Sequence, residues 1–484
     1  MLSNKTFNLT QHVMAAGTLQ GDKTALELIA LEGKTSYTYA DLNTAIEQMA
    51  AGLVNAGIAK GDIIVLRLGN TLDFPIAFLG AIYAGIIPAP ISQQLTTIEI
   101  ATICENLSTR AIVTNEVDLV SSQRIIQIGE LHRNEQTVPC DLGDANRPAY
   151  IIHTSGTSGT PRAVVHAHRA ILARKMMWDG WYGLRSSDRI MHAGAFNWTY
   201  TLGTGLLDPW TIGATALIPL PDTDAADLPK LMAKHHATIF AAAPGVYRRL
   251  LRADIPNLPQ LRHGLSAGEK LPAALRTAWH TKTGTNIHEA FGMSECSTFI
   301  SGSPNRPSPE HSLGYPQAGR RVQIMQDGQI AVHKDDAGLM LGYHNQPDET
   351  AARYHGDWFL TGDMGQMADD GAITYAGRAD DMMNAGGYRV SPVEVEEALN
   401  THPLIHDVAA CAVQLRTDTT LIAAFYTAQK LIDEDALRAH MAEHLASYKC
   451  PRIYIHRPAL PRGANNKLLR RVLRTQWETE HGQA

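Results

Sequence analysis

The sequence predicts an α/β protein: a large N-terminal domain of parallel and mixed sheets covered by helices, with a β-subdomain, followed by a small α+β C-terminal domain. Three observations carry this. Apolar strands alternate with amphipathic helices from about residue 40 to 280, the pattern of parallel sheets covered on both faces. After about 310 the segments become short and alternating, with an Asp327-Gly328 turn between them, the look of antiparallel strands. A helix signal then opens at Ser391, with Pro392 suited to the first helical position and Glu394 to a capping box.

In chain order, "TYADLNTAIEQMAAGLVNAG" reads as a helix ended by Gly57, and "DIIVLRL" (62–68) as a short buried strand. A helix over 72–86 follows. The stretch 74–92 is the most apolar of the chain, but its glycines and prolines predict a buried helix ending in a loop, short of the ~18 uninterrupted apolar residues of a membrane span. Strands are expected at 111–115 and 149–155, and strand–turn–helix units at 237–251 and 261–280. A boundary near 380 divides the chain into residues 1–379 and 380–484, the second of ordinary small-domain size.

At roughly 100–200 residues per domain, 484 residues suggest two to four domains. A net charge of −6 points to no nucleic-acid or membrane partner. Five scattered cysteines without CxxC spacing suggest neither a zinc site nor a disulfide framework, which favours a reducing cytoplasm. The N-terminus lacks the basic start and apolar run of a signal peptide. Residues 449–474 carry eight Lys/Arg and no Asp/Glu, either a solvated face or a surface that meets phosphates.

The stretch "HTSGTSGTPRAV" gathers hydroxyls, glycines and one cation, the residue types that suit an anion. It is neither a Walker A loop, which would need Gly-Lys-Ser/Thr five residues after the first glycine, nor GxGxxG. Taken alone it reads as a connection as readily as a phosphate loop.

Further along, "SAGEKLP" (266–272), "FGMSE" (291–295), "FLTGD" (359–363), "GRADDMMNAGGYRVSPVEVE" (377–396), "YKCPR" (448–452) and "LPRGANNKLLRRVLR" (460–474) follow in order. With "TSGTSGTPRAV" (154–164) they resemble the signature segments of the adenylate-forming enzymes: acyl-CoA synthetases, luciferase and peptide-synthetase adenylation domains. The resemblance spans the chain from about residue 150.

It implies an ATP-dependent, Mg²⁺-assisted reaction in which a carboxylate attacks the α-phosphorus. Thr154, Ser155, Gly156, Thr157, Ser158 and Gly159 would wrap the β- and γ-phosphates, with Arg162 where the family usually has Lys. Glu295 would hold Mg²⁺, preceded by Ser294 in place of the usual Thr. Gly268, Glu269 and Phe291 would line adenine, with Gly292 and Met293 beside them; Asp363 would accept from both ribose hydroxyls, with Arg378 supporting the ribose or a phosphate. Lys467 is the implied catalytic lysine, with Thr154 and Glu295 as its catalytic partners; Asn466 stands where a Gly usually precedes that lysine. Asp380 matches a hinge about which the small domain swings between half-reactions, and the segment at Ala385, Gly386 and Gly387 would then line the pantetheine tunnel for coenzyme A. Asn384 replaces a Lys common in relatives, so no role for that Lys carries over.

The segment 195–217 resembles the pocket helix of acetyl- and medium-chain acyl-CoA synthetases, making Asn197, Trp198, Thr199, Gly292, Met293 and Thr298 pocket candidates. Asn197, where amino-acid-activating relatives have Asp, argues against an amino acid substrate. Gly292, where acetate-specific relatives have Trp, argues for an acid larger than acetate: medium-chain, branched or aromatic. The resemblance thus implies an AMP-forming carboxylate–CoA ligase. Two alternatives stay open: an adenylating enzyme that loads the phosphopantetheine of an acyl carrier protein, and a nucleotide-binding protein without catalysis.

Overall fold

The computed structural model describes the chain outside residues 1–5, 133–136, 155–161, 222, 380, 386–387, 417–418, 464–467 and 482–484, and outside the side chains of 384–385, 388–389, 415–416 and 419–420. The chain divides into two compact units. The larger comprises Met1–Arg321 and Val332–Trp358; the smaller comprises Val322–Ala331 and Phe359–Ala484.

Among the described residues, the larger unit is built on a nine-stranded sheet. Its centre is six parallel strands: Ile287–Met293, His263–Ala267, Ile239–Ala241, Arg189–His192, Thr215–Pro219 and Thr24–Ala30. Antiparallel strands close both edges, Gly33–Thr38 on one side, Ser297–Ser301 and Tyr315–Pro316 on the other. A second, four-stranded parallel sheet runs Ile87–Pro90, Ile63–Arg67, Ala111–Thr114, Ile125–Gln127. Buried helices such as Asp73–Tyr83 and Tyr39–Asn55 pack a continuous apolar core against these sheets.

Two expectations are corrected here. The buried helix near residue 80 is present, but the segment after it is a strand, Ile87–Pro90. Its prolines are tolerated because it lies at the sheet edge and its ladder donors fall elsewhere. Ile87 N–H donates to Asp62 O and Ile91 N–H to Leu66 O, while Pro88 and Pro90, at alternate positions, face away from the partner. The strand expected at 149–155 is also present, as Pro148–Thr154, but it joins no parallel sheet. It pairs antiparallel with Arg162–Ala167, which pairs in turn with Gly342–Tyr343.

The smaller unit contains the expected antiparallel strands. The Asp327-Gly328 turn is closed by Met325 N–H to Gln329 O and by Gly328 in the left-handed region at φ +86°. Strands Trp358–Met367 and Ile373–Arg378 pair antiparallel, with Asp363 opposite Arg378. Further on, Ile405–Arg416, Thr419–Ala428 and Ile453–His456 form a sheet covered by helices Pro392–Asn400, Glu434–His444 and Arg470–His481. Ser391 caps its helix as expected, accepting from Glu394 N–H at 3.3 Å. The Glu394 carboxylate, however, pairs with Lys449 at 2.5 Å.

Among the buried histidines of the larger unit are His166, His168, His192, His263 and His288. Burial is the largest cause holding each well below the ordinary value near 6.5, down to about 3 or 4. Their neutral forms are built in: His168 Nδ1 accepts from Leu9 N–H, His192 Nδ1 from Gly194 N–H. Because the unfolded chain binds more protons between pH 6.5 and those depressed values, stability is complete above about 6.5 and falls with pH below it. Each of the five therefore opposes the folded state increasingly as pH falls below about 6.5. The urea midpoint is therefore expected to fall as pH is lowered from about 6.5 to about 5; a midpoint that does not move over that range would refute this reading.

Candidate active site

Within the larger unit, the candidate phosphate segment connects two paired strands. Thr154 ends one and Arg162 begins the other, opposite each other in register. Ser155, Gly156, Thr157, Ser158 and Gly159 lie outside the described residues. Arg162 forms an ion pair with Glu349, and its guanidinium lies over the Tyr343 ring at 5.2 Å. The Tyr343 hydroxyl donates to Glu295 at 2.8 Å. Burial and the neighbouring Glu295 push that phenol well above its usual value.

Glu295 is only 8% exposed. Its segment is held from both sides, because Met340 N–H donates to Glu295 O and His166 Nε2 donates to Ser294 O at 2.8 Å. The structure thus brings Arg162 and Glu295 into one cluster through a tyrosine and a second glutamate. Neither Tyr343 nor Glu349 was singled out from the sequence. Both lie in "GYHNQPDET", nearly 50 residues or more from their partners, and no local pattern marks such a pairing.

The candidate base segments emerge together. Ala267 and Ala290 are opposite in the parallel pair His263–Ala267 and Ile287–Met293, so Gly268–Glu269 and Phe291–Met293 both lie at the carboxyl edge of these strands. In open α/β sheets that edge is where ligands bind. Phe291 sits edge-on to Phe299, and Phe291, Gly292, Met293 and Ser294 are half-buried. The loop after Ala267 is tied down by Glu289, which accepts from Leu271 N–H at 2.9 Å and from Arg276 at 3.1 Å. Burial pushes the Glu289 carboxyl up to about 6 despite these donors.

The pocket segment has its own anchor. Arg174 binds Asp208 through two hydrogen bonds of 2.6 Å, and the side chains are 8% and 1% exposed. Tyr182 donates to Asp208 at 2.6 Å, and Arg174 donates to Ser297 at 2.8 Å. A Cβ on Gly203 would overlap the guanidinium, so glycine there lets the arginine pass. With the Arg174 bond to Thr204 at 3.4 Å, they tie the π-helical turn Leu202–Leu207 and the Asp208 that follows it to helix Ala170–Met177 and to the strand beginning at Ser297. Asn70, which the sequence did not flag, brackets the same segment: it donates to Gly194 O and accepts from Phe196 N–H.

Among the pocket candidates, Asn197, Trp198 and Thr199 are half-buried, and Thr298 is buried, donating to Met177 Sδ. The Trp198 ring occupies the space a Cβ on Gly268 would need, 2.5 Å from it, and Gly268 has φ +93°. A pocket candidate and a base candidate are therefore in contact. Gly292 has a different surrounding. A Cβ there would meet Ser297 O at 2.3 Å and Thr298 Cα at 2.5 Å, so the space is filled by backbone of the following strand.

In the smaller unit, Arg378 donates to Asp363 at 3.0 Å and Tyr375 donates to it at 3.2 Å. Asp363 is buried, and burial with the neighbouring carboxylate raises the Tyr375 phenol. Lys467, Asp380, Gly386 and Gly387 lie outside the described residues, as do the side chains of Asn384 and Ala385. The chain on either side of 464–467 is fixed: Arg462 and Leu468 form a β-bridge, and Arg470 binds Glu396 at 2.7 and 2.9 Å.

Residues 14–344 match the AMP-binding enzyme family, and residues 394–467 match the AMP-binding enzyme C-terminal domain. The chain belongs to the AMP-binding enzyme family. This is the adenylate-forming superfamily, and the relatives within it are acyl- and aryl-CoA ligases. The chain is 30% identical to a 4-hydroxybenzoate–CoA/benzoate–CoA ligase of Rhodopseudomonas palustris, over 92% of this chain and 90% of that one. It is 29% identical to the human mitochondrial acyl-coenzyme A synthetase ACSM2B, over 89% and 83%. Among solved AMP-binding enzymes, the anthranilate CoA ligase AuaEII in complex with anthranoyl-AMP superposes with a TM-score of 0.86 at 25% identity, covering 97% of both chains. No helix among the described residues is long and apolar enough to cross a membrane.

Proposed function

We propose that this chain is an AMP-forming carboxylate–CoA ligase for an acid larger than acetate, medium-chain, branched or aromatic. The carboxylate attacks the α-phosphorus of ATP and pyrophosphate leaves; the CoA thiolate then attacks the acyl carbonyl and AMP leaves. The observation that carries this reading is the Arg162–Tyr343–Glu295 cluster, a cation and a nearly buried carboxylate placed at the end of the candidate phosphate segment.

In this reading Thr154 and the residues after it, with Arg162, hold the β- and γ-phosphates. Asp363, paired with Arg378, accepts from the ribose hydroxyls. Lys467 neutralises charge at the α-phosphate, and Asp380 is the hinge for the thioester step. In this reading residues 1–379 and 380–484 move against each other, a division that differs from the two compact units, where 322–331 and 359–379 group with the C-terminal residues.

Glu295 suits Mg²⁺. No group of three or more potential ligands occurs among the described residues, and Mg²⁺ characteristically takes one or two carboxylates plus substrate phosphates. When bound, the ion would supply charge neutralisation on the phosphates. All five cysteines are unpaired, which suits a reducing cytoplasm.

The testing experiment is a carboxylate panel (acetate, hexanoate, a branched acid, benzoate, 4-hydroxybenzoate, 2-aminobenzoate) read by pyrophosphate release. Each acid is assayed with CoA, with a phosphopantetheinylated carrier protein and with no thiol. Acid-dependent release, completed to thioester only with CoA, is expected. Release without any acid dependence would sink the proposal, and transfer only to the carrier protein would replace its second half.

A further inference from the structure

The phosphate end of the larger unit holds residues that the motifs do not assign. Strand Gly342–Tyr343 pairs with Arg162–Ala167, placing Tyr343 opposite Val164, two positions from Arg162. Helix Pro347–Ala351 follows, and Tyr343 N–H donates to Thr350 Oγ1 at 2.9 Å. This short strand and helix deliver the Glu349 carboxylate to the Arg162 guanidinium and lay the Tyr343 ring beneath it. The hydroxyl of the same ring holds Glu295. One cation is thus set between two carboxylates, paired directly with one and separated from the other by a tyrosine.

We propose that Glu349 is a built-in competitor for phosphate at Arg162, and that Tyr343 is a positioning residue that fixes Glu295 beside it. The inference rests on the phosphate role of Arg162 and the metal role of Glu295 given above. The Arg162 and Glu349 side chains are 22% and 33% exposed, so their pair is partly solvated and opens at modest cost. A polyphosphate brings more charge than a carboxylate and displaces Glu349 from the fork. When pyrophosphate departs, Glu349 takes the fork back, which lowers affinity for the leaving product. Arginine in place of lysine is accounted for by the same geometry. A planar guanidinium can lie on the Tyr343 face while its edge binds an anion, and an ammonium cannot do both as well.

The test is calorimetric binding of inorganic pyrophosphate to the full chain without metal, for the wild type, Glu349→Gln, Arg162→Met and the double variant. Glu349→Gln is nearly isosteric, and its affinity is expected to rise about two- to tenfold. That gain should vanish in the Arg162→Met background. A merely structural clasp would lower the thermal midpoint of Glu349→Gln and leave its pyrophosphate affinity unchanged. Tyr343→Phe should bind metal-free pyrophosphate within about twofold of wild type while needing several-fold more Mg²⁺ for half-maximal metal-dependent tightening.

An unchanged Glu349→Gln affinity, or a gain that persists without Arg162, would overturn the competitor role and leave the ATP reading standing. An unchanged Mg²⁺ requirement in Tyr343→Phe would overturn the positioning role. Absence of pyrophosphate binding in every variant and the wild type would overturn this inference and the phosphate assignment together.

Discussion

Lys467→Ala is expected to slow acyl-adenylate formation by about 100- to 1000-fold, the usual cost of removing one donor aimed at transition-state charge. Thioester formation from supplied acyl-adenylate should be nearly unchanged, because the α-phosphorus has by then been transferred. The two half-reactions are separable by pyrophosphate exchange into ATP and by CoA-dependent consumption of acyl-adenylate. Equal loss in both would remove Lys467 from the adenylation step. The residues bordering its segment make the variant interpretable. The β-bridge between Arg462 and Leu468 and the clamp of Arg470 on Glu396 do not involve the lysine, so its removal leaves the base of that segment tied down.

The second large effect is on stability. Asp208→Ala would strand the Arg174 guanidinium in the core with, among the described residues, the neutral partners Ser297, Tyr182 and Thr204. Removing one member of a buried pair costs about 3–5 kcal/mol. Urea unfolding of the larger unit should show that loss. The double variant Arg174→Met, Asp208→Leu should recover most of it, since no uncompensated charge then remains. A single variant no less stable than wild type would show that the pair opens to water. The pocket segment should suffer with the fold, because the same arginine ties its π-helical turn to Ser297.

What the sequence disclosed follows from how local each signal is. Asp363 and Arg378 were readable as separate motif residues, and their cross-strand pairing follows from the hairpin between them. The Asp327-Gly328 turn and the Ser391 cap were readable because each is set by a few adjacent residues. Glu349 and Tyr343 were not, because their meaning lies in partners 187 and 48 positions away, at Arg162 and Glu295. Asn70 was missed for the same reason, 124 residues from Gly194. Glycine was the least informative letter. At Gly292 its absent side chain suggested open space, and the structure fills that space with the Ser297–Thr298 backbone. At Gly203 the same absence admits a guanidinium. Pro88 and Pro90 misled in the opposite direction, because a strand at a sheet edge can spare every second donor.

The indole of Trp198 rests in the notch left by Gly268; if both residues have the roles proposed above, it is a party wall between two binding compartments. Under the roles proposed here, its one face belongs to the acid and the other to the nucleotide loop. On those roles acid selectivity and nucleotide recognition share one partition, and the two ligands should bind with synergy in either order of addition. A directed-evolution campaign that varied position 198 for new acids would be selecting, unasked, for altered use of ATP, and should randomise Gly268 and Glu269 in the same library.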